Sequence, residues 1–270
     1  MPLKTMIFVD GTWLYHSRQI LFDVLGADGF EIDYKRIPDV IADDLSQWQE
    51  DRIDIVRTCY FGTLPINKPG CNPAKQKAFY DFLAFHCGYD TEIIDVDYRR
   101  DPGARPDERS VSVALASAMV YYASLPGVFD VAALVAGDSE YIPLLRRVRA
   151  MGKRTQLVAI TNTSTRAPTS TLLQTEPGVL DFPPVFLDDH AQNLRLVREE
   201  QTRNCKICGK DELTTWAGPD FFCSICRNEH RKQVRTCDAC GREEETTWDK
   251  PFFYCTQCRK EYRDNRPESA

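Results

Sequence analysis

An α/β fold, a parallel sheet flanked by helices and followed by two small cysteine-rich modules, is predicted by three observations. Strand-like and helix-like runs alternate from residue 3 to about residue 161, which is the pattern of a parallel sheet with covering helices. Eight of the eleven cysteines fall into four C-x2-C pairs in the last third of the chain. The 270 residues allow one sizeable domain plus something smaller, since domains usually run to roughly 100–200 residues.

The alternation is read element by element. The apolar run Met6-Ile7-Phe8-Val9 marks a first strand over 4–9 that stops at Asp10, and helices are expected over 13–25 and 34–48. A strand at 53–61, a helix at 73–87 and a strand at 91–98 follow. Residues 110–129 carry no charge and approach the ~20 needed to cross a bilayer. Its serines, and the Leu125-Pro126-Gly127 break before the next strand-like run, favour a buried helix over 108–124 plus a loop. A strand at 131–136, a helix at 140–151 and a strand at 155–160 complete the series. The stretch 161–182 is rich in Thr, Ser and Pro and has no assigned element, and 188–203 reads as a charged connecting helix or linker. The expected domains are therefore 1–187, a linker at 188–203, and modules at 204–232 and 233–265.

Composition narrows the class. The chain is 43% hydrophobic and 27% charged, unlike a disordered chain, so most of it is expected to fold. Only four consecutive apolar residues precede Asp10, too few for a secretory segment, so the expected location is the cytoplasm, with no membrane contact. Lys and Arg against Asp and Glu give 19 − 26 = −7 for residues 1–190 and 15 − 14 = +1 for 191–270. Nucleic-acid binding would thus rest on local clusters and not on a global positive field.

The cysteine pairs are Cys205/Cys208, Cys223/Cys226, Cys237/Cys240 and Cys255/Cys258, and both intervening gaps are fourteen residues. The two halves repeat at a period of 32: Thr214-Thr215-Trp216 returns as Thr246-Thr247-Trp248, and Cys226-Arg227 as Cys258-Arg259. A C-x2-C turn puts two sulfurs on one side of a tight loop, and two such turns brought together by a short hairpin complete a tetrahedron. Each half reads as a zinc ribbon or a close relative, with two structural Zn²⁺ sites in all. Disulfides are disfavoured by the missing secretory segment, while iron in the same four sulfurs stays open. Modules this small need the metal for folding, at ~10–16 kcal/mol per site. Trp216, Phe221, Phe222, Trp248, Phe252, Phe253 and Tyr254 could stack bases, with Arg227, Arg231, Lys232 and Arg235 on phosphates, or some of them could form the small cores. Cys59, Cys71 and Cys87 lie apart from the pairs and read as packing residues.

In a parallel sheet, function gathers at the C-terminal ends of the strands, above all where the strand order reverses. Asp10 closes the first strand, and Asp138 follows Leu134-Val135-Ala136-Gly137, with Glu140 two residues on. Either motif alone reads as a turn or helix cap. Together they suggest an oxygen-rich site suited to Mg²⁺ or Mn²⁺.

Ile7-Phe8-Val9-Asp10-Gly11, then Glu108-Arg109-Ser110-Val111-Ser112-Val113-Ala114-Leu115, then Gly137-Asp138-Ser139-Glu140-Tyr141-Ile142-Pro143-Leu144 with Gly152-Lys153-Arg154 resemble the NYN domain family of PIN-like nucleases, over roughly residues 3–160. The resemblance implies that Asp10, Asp138 and Glu140 hold a divalent cation that activates water against an RNA phosphodiester. The chain departs from the family pattern at Ser112 and Ala118, where carboxylates are common, and at Trp13, where Asn is frequent. Asp107 or Glu108 would have to reach in to replace them. Arg99, Arg100 and Arg105, in the loop before the helix of Ser112, and Arg109 at its start are the candidate phosphate contacts. The expected substrate is single-stranded RNA, with the ribbons binding RNA or a protein partner.

Three rival readings compete for the same motifs. A haloacid dehalogenase-type phosphatase fails because Phe8 stands where its nucleophilic Asp is required. A dinucleotide-binding domain fails because no Gly-x-Gly-x-x-Gly follows the first strand. A non-enzymatic adaptor is favoured by Ser112 and Ala118 and opposed by the three retained carboxylates, whose repulsion is costly without a cation.

Overall fold

The computed structural model describes residues 2–25, 31–50, 52–68, 70–97, 108–163, 166–197, 200–216, 220–246 and 252–264. The chain divides into two compact units, Met1–Leu196 and Val197–Ala270.

The first unit is built on β1 (Leu3–Asp10), β2 (Ile53–Ile66), β3 (Asp90–Asp97), β4 (Val131–Val135), β5 (Arg154–Ala159) and β6 (Val185–Phe186). All pair in parallel in the order β3-β2-β1-β4-β5-β6. Between them run α1 (Gly11–Leu25), α2 (Arg36–Trp48), α3 (Pro73–Cys87), α4 (Glu108–Ser124), a 3-10 turn (Ser139–Tyr141), α5 (Ile142–Ala150) and α6 (Thr171–Thr175). This is a parallel α/β sheet with helices on both faces.

Successive strand side chains point to opposite faces, so each central strand feeds two cores. Ile7, Val9, Ala133, Val135 and Val158 pack with Leu14, Ile41 and Leu83 of α1, α2 and α3. Met6, Phe8, Ala132, Leu134 and Leu157 pack with Val111, Leu115 and Met119 of α4 and Leu145 and Val148 of α5. Strands covered on both faces read as continuous apolar runs, which is why β1 and β4 are so plain in the sequence. The helices have local reasons too. In α2, Ile37, Val40, Ile41 and Leu45 form one buried stripe. Asn72 caps α3 by accepting from the Lys75 amide at 3.1 Å, Pro73 opens the helix, and Gly88 ends it in the left-handed conformation at φ 73°. The uncharged stretch around α4 is a half-buried helix, and no helix among the described residues is long and apolar enough to cross a membrane.

Residues 161–163 and 166–196 follow β5. The Thr169 hydroxyl donates to the Ile160 carbonyl at 2.8 Å and accepts from its amide at 3.2 Å, closing the loop after β5. The two-residue β6 then pairs with Val158 and Ala159. Within the segment expected to connect the domains, Ala191 and Leu194 are buried, and the Leu196 amide donates to the Glu31 carbonyl at 2.8 Å. Of the three isolated cysteines, Cys59 is buried and Cys87 half-buried as packing residues should be, but Cys71 is exposed, in the turn just before Asn72.

The second unit contains two copies of one motif. In the first, β7 (Gln201–Asn204) and β8 (Asp211–Thr214) form an antiparallel hairpin followed by α7 (Ser224–Arg231). In the second, β9 (Gln233–Thr236) and β10 (Glu243–Thr246) are followed by α8 (Thr256–Asp264). The period of 32 holds down to single bonds. Gly209 donates to the Cys205 carbonyl and Gly241 to that of Cys237, both at 2.9 Å, with both glycines left-handed at φ 68° and 70°. Only glycine enters that conformation without strain, which accounts for Cys-Gly at both hairpin tips.

Candidate active site and metal centres

β1 and β4 lie side by side, with Val9 opposite Val135, although more than a hundred residues separate them. From β1 the chain winds outward through β2 and β3, then returns to start β4, β5 and β6 on the other side. The strand order reverses between β1 and β4, and Asp10 ends the first of these strands while Asp138 closely follows the second, at the same edge.

Two glycines let neighbouring groups close over this edge. A Cβ on Gly11 would lie 2.2 Å from the ring of Tyr60, and one on Gly137 would lie 2.1 Å from both the Pro168 carbonyl oxygen and Trp13 Nε1. The Trp13 indole donates to that carbonyl at 2.6 Å, and the Ser170 amide donates to the Gly137 carbonyl at 2.7 Å. Trp13, the residue at which the chain departs from the expected Asn, is therefore a buried clamp between α1 and Pro168.

Asp10 is almost fully buried, at 4% exposure. Its Oδ1 accepts from the amides of Thr12 at 3.1 Å and Trp13 at 3.0 Å, as a helix-capping carboxylate does. Its Oδ2 accepts from the Tyr141 hydroxyl at 2.6 Å, and that hydroxyl also lies 3.2 Å from Ser112 Oγ. Burial, then the Asp10 charge and hydrogen bond, push the Tyr141 phenol far above its ordinary range, so it stays a neutral donor. Asp138 is exposed and does not cap the following turn with its side chain, and its charge also acts on Tyr141. Glu140 is exposed on the same turn. Ala118 is half-buried against the second core.

Asp10, Asp138 and Glu140 thus share one edge, but the three do not close to a set of ligand atoms within 4.8 Å; the described residues form such sets only from the cysteines. One buried and two exposed carboxylates would suit a hard cation that keeps several of its waters better than a caged ion. Arg99, Arg100, Arg105 and Asp107 lie outside the described residues, as do the side chains of Glu108 and Arg109. Tyr141, Trp13 and Tyr60 are residues whose roles the sequence does not disclose. Of these, Tyr141 alone carries a signal in the sequence, as the aromatic residue directly after Gly137-Asp138-Ser139-Glu140.

The cysteines do gather. Cys205, Cys208, Cys223 and Cys226 form one set, and Cys237, Cys240, Cys255 and Cys258 the other, each with its sulfurs within 4.8 Å. The Cys208–Cys223 and Cys240–Cys255 sulfur separations are 3.6 and 3.7 Å. A tetrahedron with ~2.3 Å zinc–sulfur bonds has edges of about 3.8 Å, so four-sulfur zinc fits both sites. Disulfides do not, and all eleven cysteines are free. The first pair of each set sits in a hairpin tip, whereas the second lies at the start of a helix, with Cys223 capping α7. Helix starts present unpaired amides, and amides serve the sulfurs here: Cys223 N donates to Cys205 Sγ at 3.3 Å and Cys255 N to Cys237 Sγ at 3.2 Å. The Cys208 and Cys223 amides pull the Cys205 thiol down to about 6. The Cys255 and Cys240 amides bring Cys237 to about 6 as well.

The tail aromatics separate into two groups. Phe221 and Phe253 are the buried module cores, with Arg227 over Phe221 and Arg235 and Arg259 over Phe253 at 5.8–6.0 Å. Trp216, Phe222, Phe252 and Tyr254 are exposed. Trp248 and the Arg231 side chain lie outside the described residues.

No curated protein and no solved structure matches the chain. The NYN domain model matches residues 4–176, well over half of the 270, and the chain belongs to the NYN domain family of PIN-like nucleases.

Proposed function

We propose that this protein is a divalent-metal-dependent ribonuclease that cuts single-stranded RNA at the edge formed by Asp10 and Asp138. The observation that supports this most is their placement, one buried and pinned and one exposed, after the two adjacent strands where the sheet order reverses. Asp10 and Asp138 would hold a Mg²⁺ or Mn²⁺ ion, which supplies charge stabilisation for the attacked phosphate and lowers the pKa of a bound water. Glu140, exposed on the neighbouring turn, would accept the proton of the attacking water. Arg99, Arg100, Arg105 and Arg109 would contact phosphates, and the exposed Trp216, Phe222, Phe252 and Tyr254 would stack unpaired bases. The two zinc modules would then hold the RNA strand or dock a protein partner.

A second reading, an adaptor that binds RNA without cutting it, is favoured by one observation: the three carboxylates do not close on one another. The test incubates zinc-loaded protein with end-labelled single-stranded RNA in Mn²⁺ or Mg²⁺, beside a folded Asp138→Asn variant. Cleavage by the wild type that the variant lacks supports the nuclease. Absent cleavage, or equal cleavage by both, moves the reading to the adaptor.

A further inference from the structure

The buried side of the Asp10 site is a short chain of hydroxyl groups. Ser112 on α4, Tyr141 after β4 and Asp10 at the end of β1 come from three elements and meet at 3.2 and 2.6 Å. A phenol has one proton, and at 2.6 Å from a carboxylate it stays on the phenol and is donated to the carboxylate as a hydrogen bond. The bond to Ser112 must then run the other way, with the rotatable serine hydroxyl donating to the phenolic oxygen. The chain of donation is Ser112 to Tyr141 to Asp10, each bond polarising the next. Tyr141 is only 2% exposed and packs in the second core, where a phenylalanine would fill nearly the same volume. Its hydroxyl therefore matters for what it bonds.

Both oxygens of Asp10 are held by different parts of the fold, Oδ1 by the amides that open α1 and Oδ2 by Tyr141. That fixes the plane of the carboxylate. We infer that Tyr141 is the positioning residue of Asp10, and that Ser112 orients Tyr141, so that Asp10 meets a divalent cation in one set orientation. The cation part rests on the nuclease reading above. Outer groups that orient a metal-binding side chain typically contribute about 10–100-fold in affinity.

The experiment measures Mn²⁺ affinity of the full, zinc-loaded chain by electron paramagnetic resonance of the free ion. It compares the wild type with Tyr141→Phe, Ser112→Ala, the double variant and Asp138→Asn, each shown to be folded by denaturant unfolding. Tyr141→Phe is expected to weaken Mn²⁺ by at least ~10-fold. Ser112→Ala is expected to weaken it less, and to add nothing once Tyr141 is Phe, because its effect passes through the phenol. If Asp138→Asn weakens Mn²⁺ while Tyr141→Phe stays within about twofold of wild type, the positioning role is overturned and the nuclease reading stands. Additive effects of Ser112→Ala and Tyr141→Phe overturn the relay through Ser112. If wild type and Asp138→Asn bind Mn²⁺ alike, the inference and the metal-dependent reading fall together.

Discussion

Removing the metal from the cysteine sites should unfold the second unit and leave the first standing. In each module the buried cluster is one phenylalanine among its cysteines, Phe221 with Cys205, Cys223 and Cys226, and Phe253 with Cys237 and Cys255. Burying one phenylalanine contributes about 1.5–3 kcal/mol. Four-thiolate zinc contributes about 10–16 kcal/mol per site, so the metal term exceeds the apolar term several-fold. The first unit has a large apolar core on each face of its sheet and no comparable dependence. A strong chelator added to zinc-loaded protein should release two ions per chain. Hydrogen exchange then reads the two units separately. The amides of Gly209, Gly241, Cys223 and Cys255, all bonded within the cysteine modules, should lose protection, while those of Phe8 and Leu134 in the sheet keep theirs. Cys223→Ser should bind one ion and expose Gly209 while leaving Gly241 protected, because the two ligand sets share no residue. Module amides that stay protected after the metal has left would refute the reasoning, since the cores would then stand without it.

Two further outcomes follow from single contacts in the first unit. Gly137→Ala drives a methyl to 2.1 Å from the Pro168 oxygen and Trp13 Nε1 and breaks the bond between them, so the denaturation midpoint should fall by the equivalent of at least ~2–3 kcal/mol with an unchanged slope; a change below about 0.5 kcal/mol would show that the clamp yields freely. Burial alone would raise the Asp181 carboxyl, but the Arg149 guanidinium at 2.6 and 2.9 Å and the Thr155 amide at 2.9 Å outweigh it and hold it below its ordinary 3.8. A depressed carboxyl stabilises the fold above its unfolded pKa and loses that contribution as pH falls through the folded one. Asp181→Asn should therefore cost on the order of 1–2 kcal/mol at neutral pH, with the gap to wild type closing as pH drops below about 4; a pH-independent gap would count against the charge.

How much was legible depends on the range of the interaction that decides each feature. β1 and β4 are recognisable because strands buried on both faces must be apolar throughout, and α2 because its stripe recurs every three to four residues. The zinc ligands are legible for the same reason: each C-x2-C pair is one local turn, and the copy 32 residues on repeats it. The two-residue β6 has no periodicity of its own, and becomes a strand only because Val158 and Ala159 offer it an open edge. Asp10 and Asp138 could be nominated from their strands, but their shared edge follows from the crossover that sets β4 beside β1. The bond from Tyr141 to Asp10 spans 131 positions, the clamp from Trp13 to Pro168 spans 155, and neither leaves a trace in local composition. The sequence by itself determined which residues are apolar, which turns are tight and which thiols are paired, since these are properties of neighbours along the chain. Only the tertiary structure decided what pins Asp10 and how closely the carboxylates approach, because those distances depend on how separate elements pack.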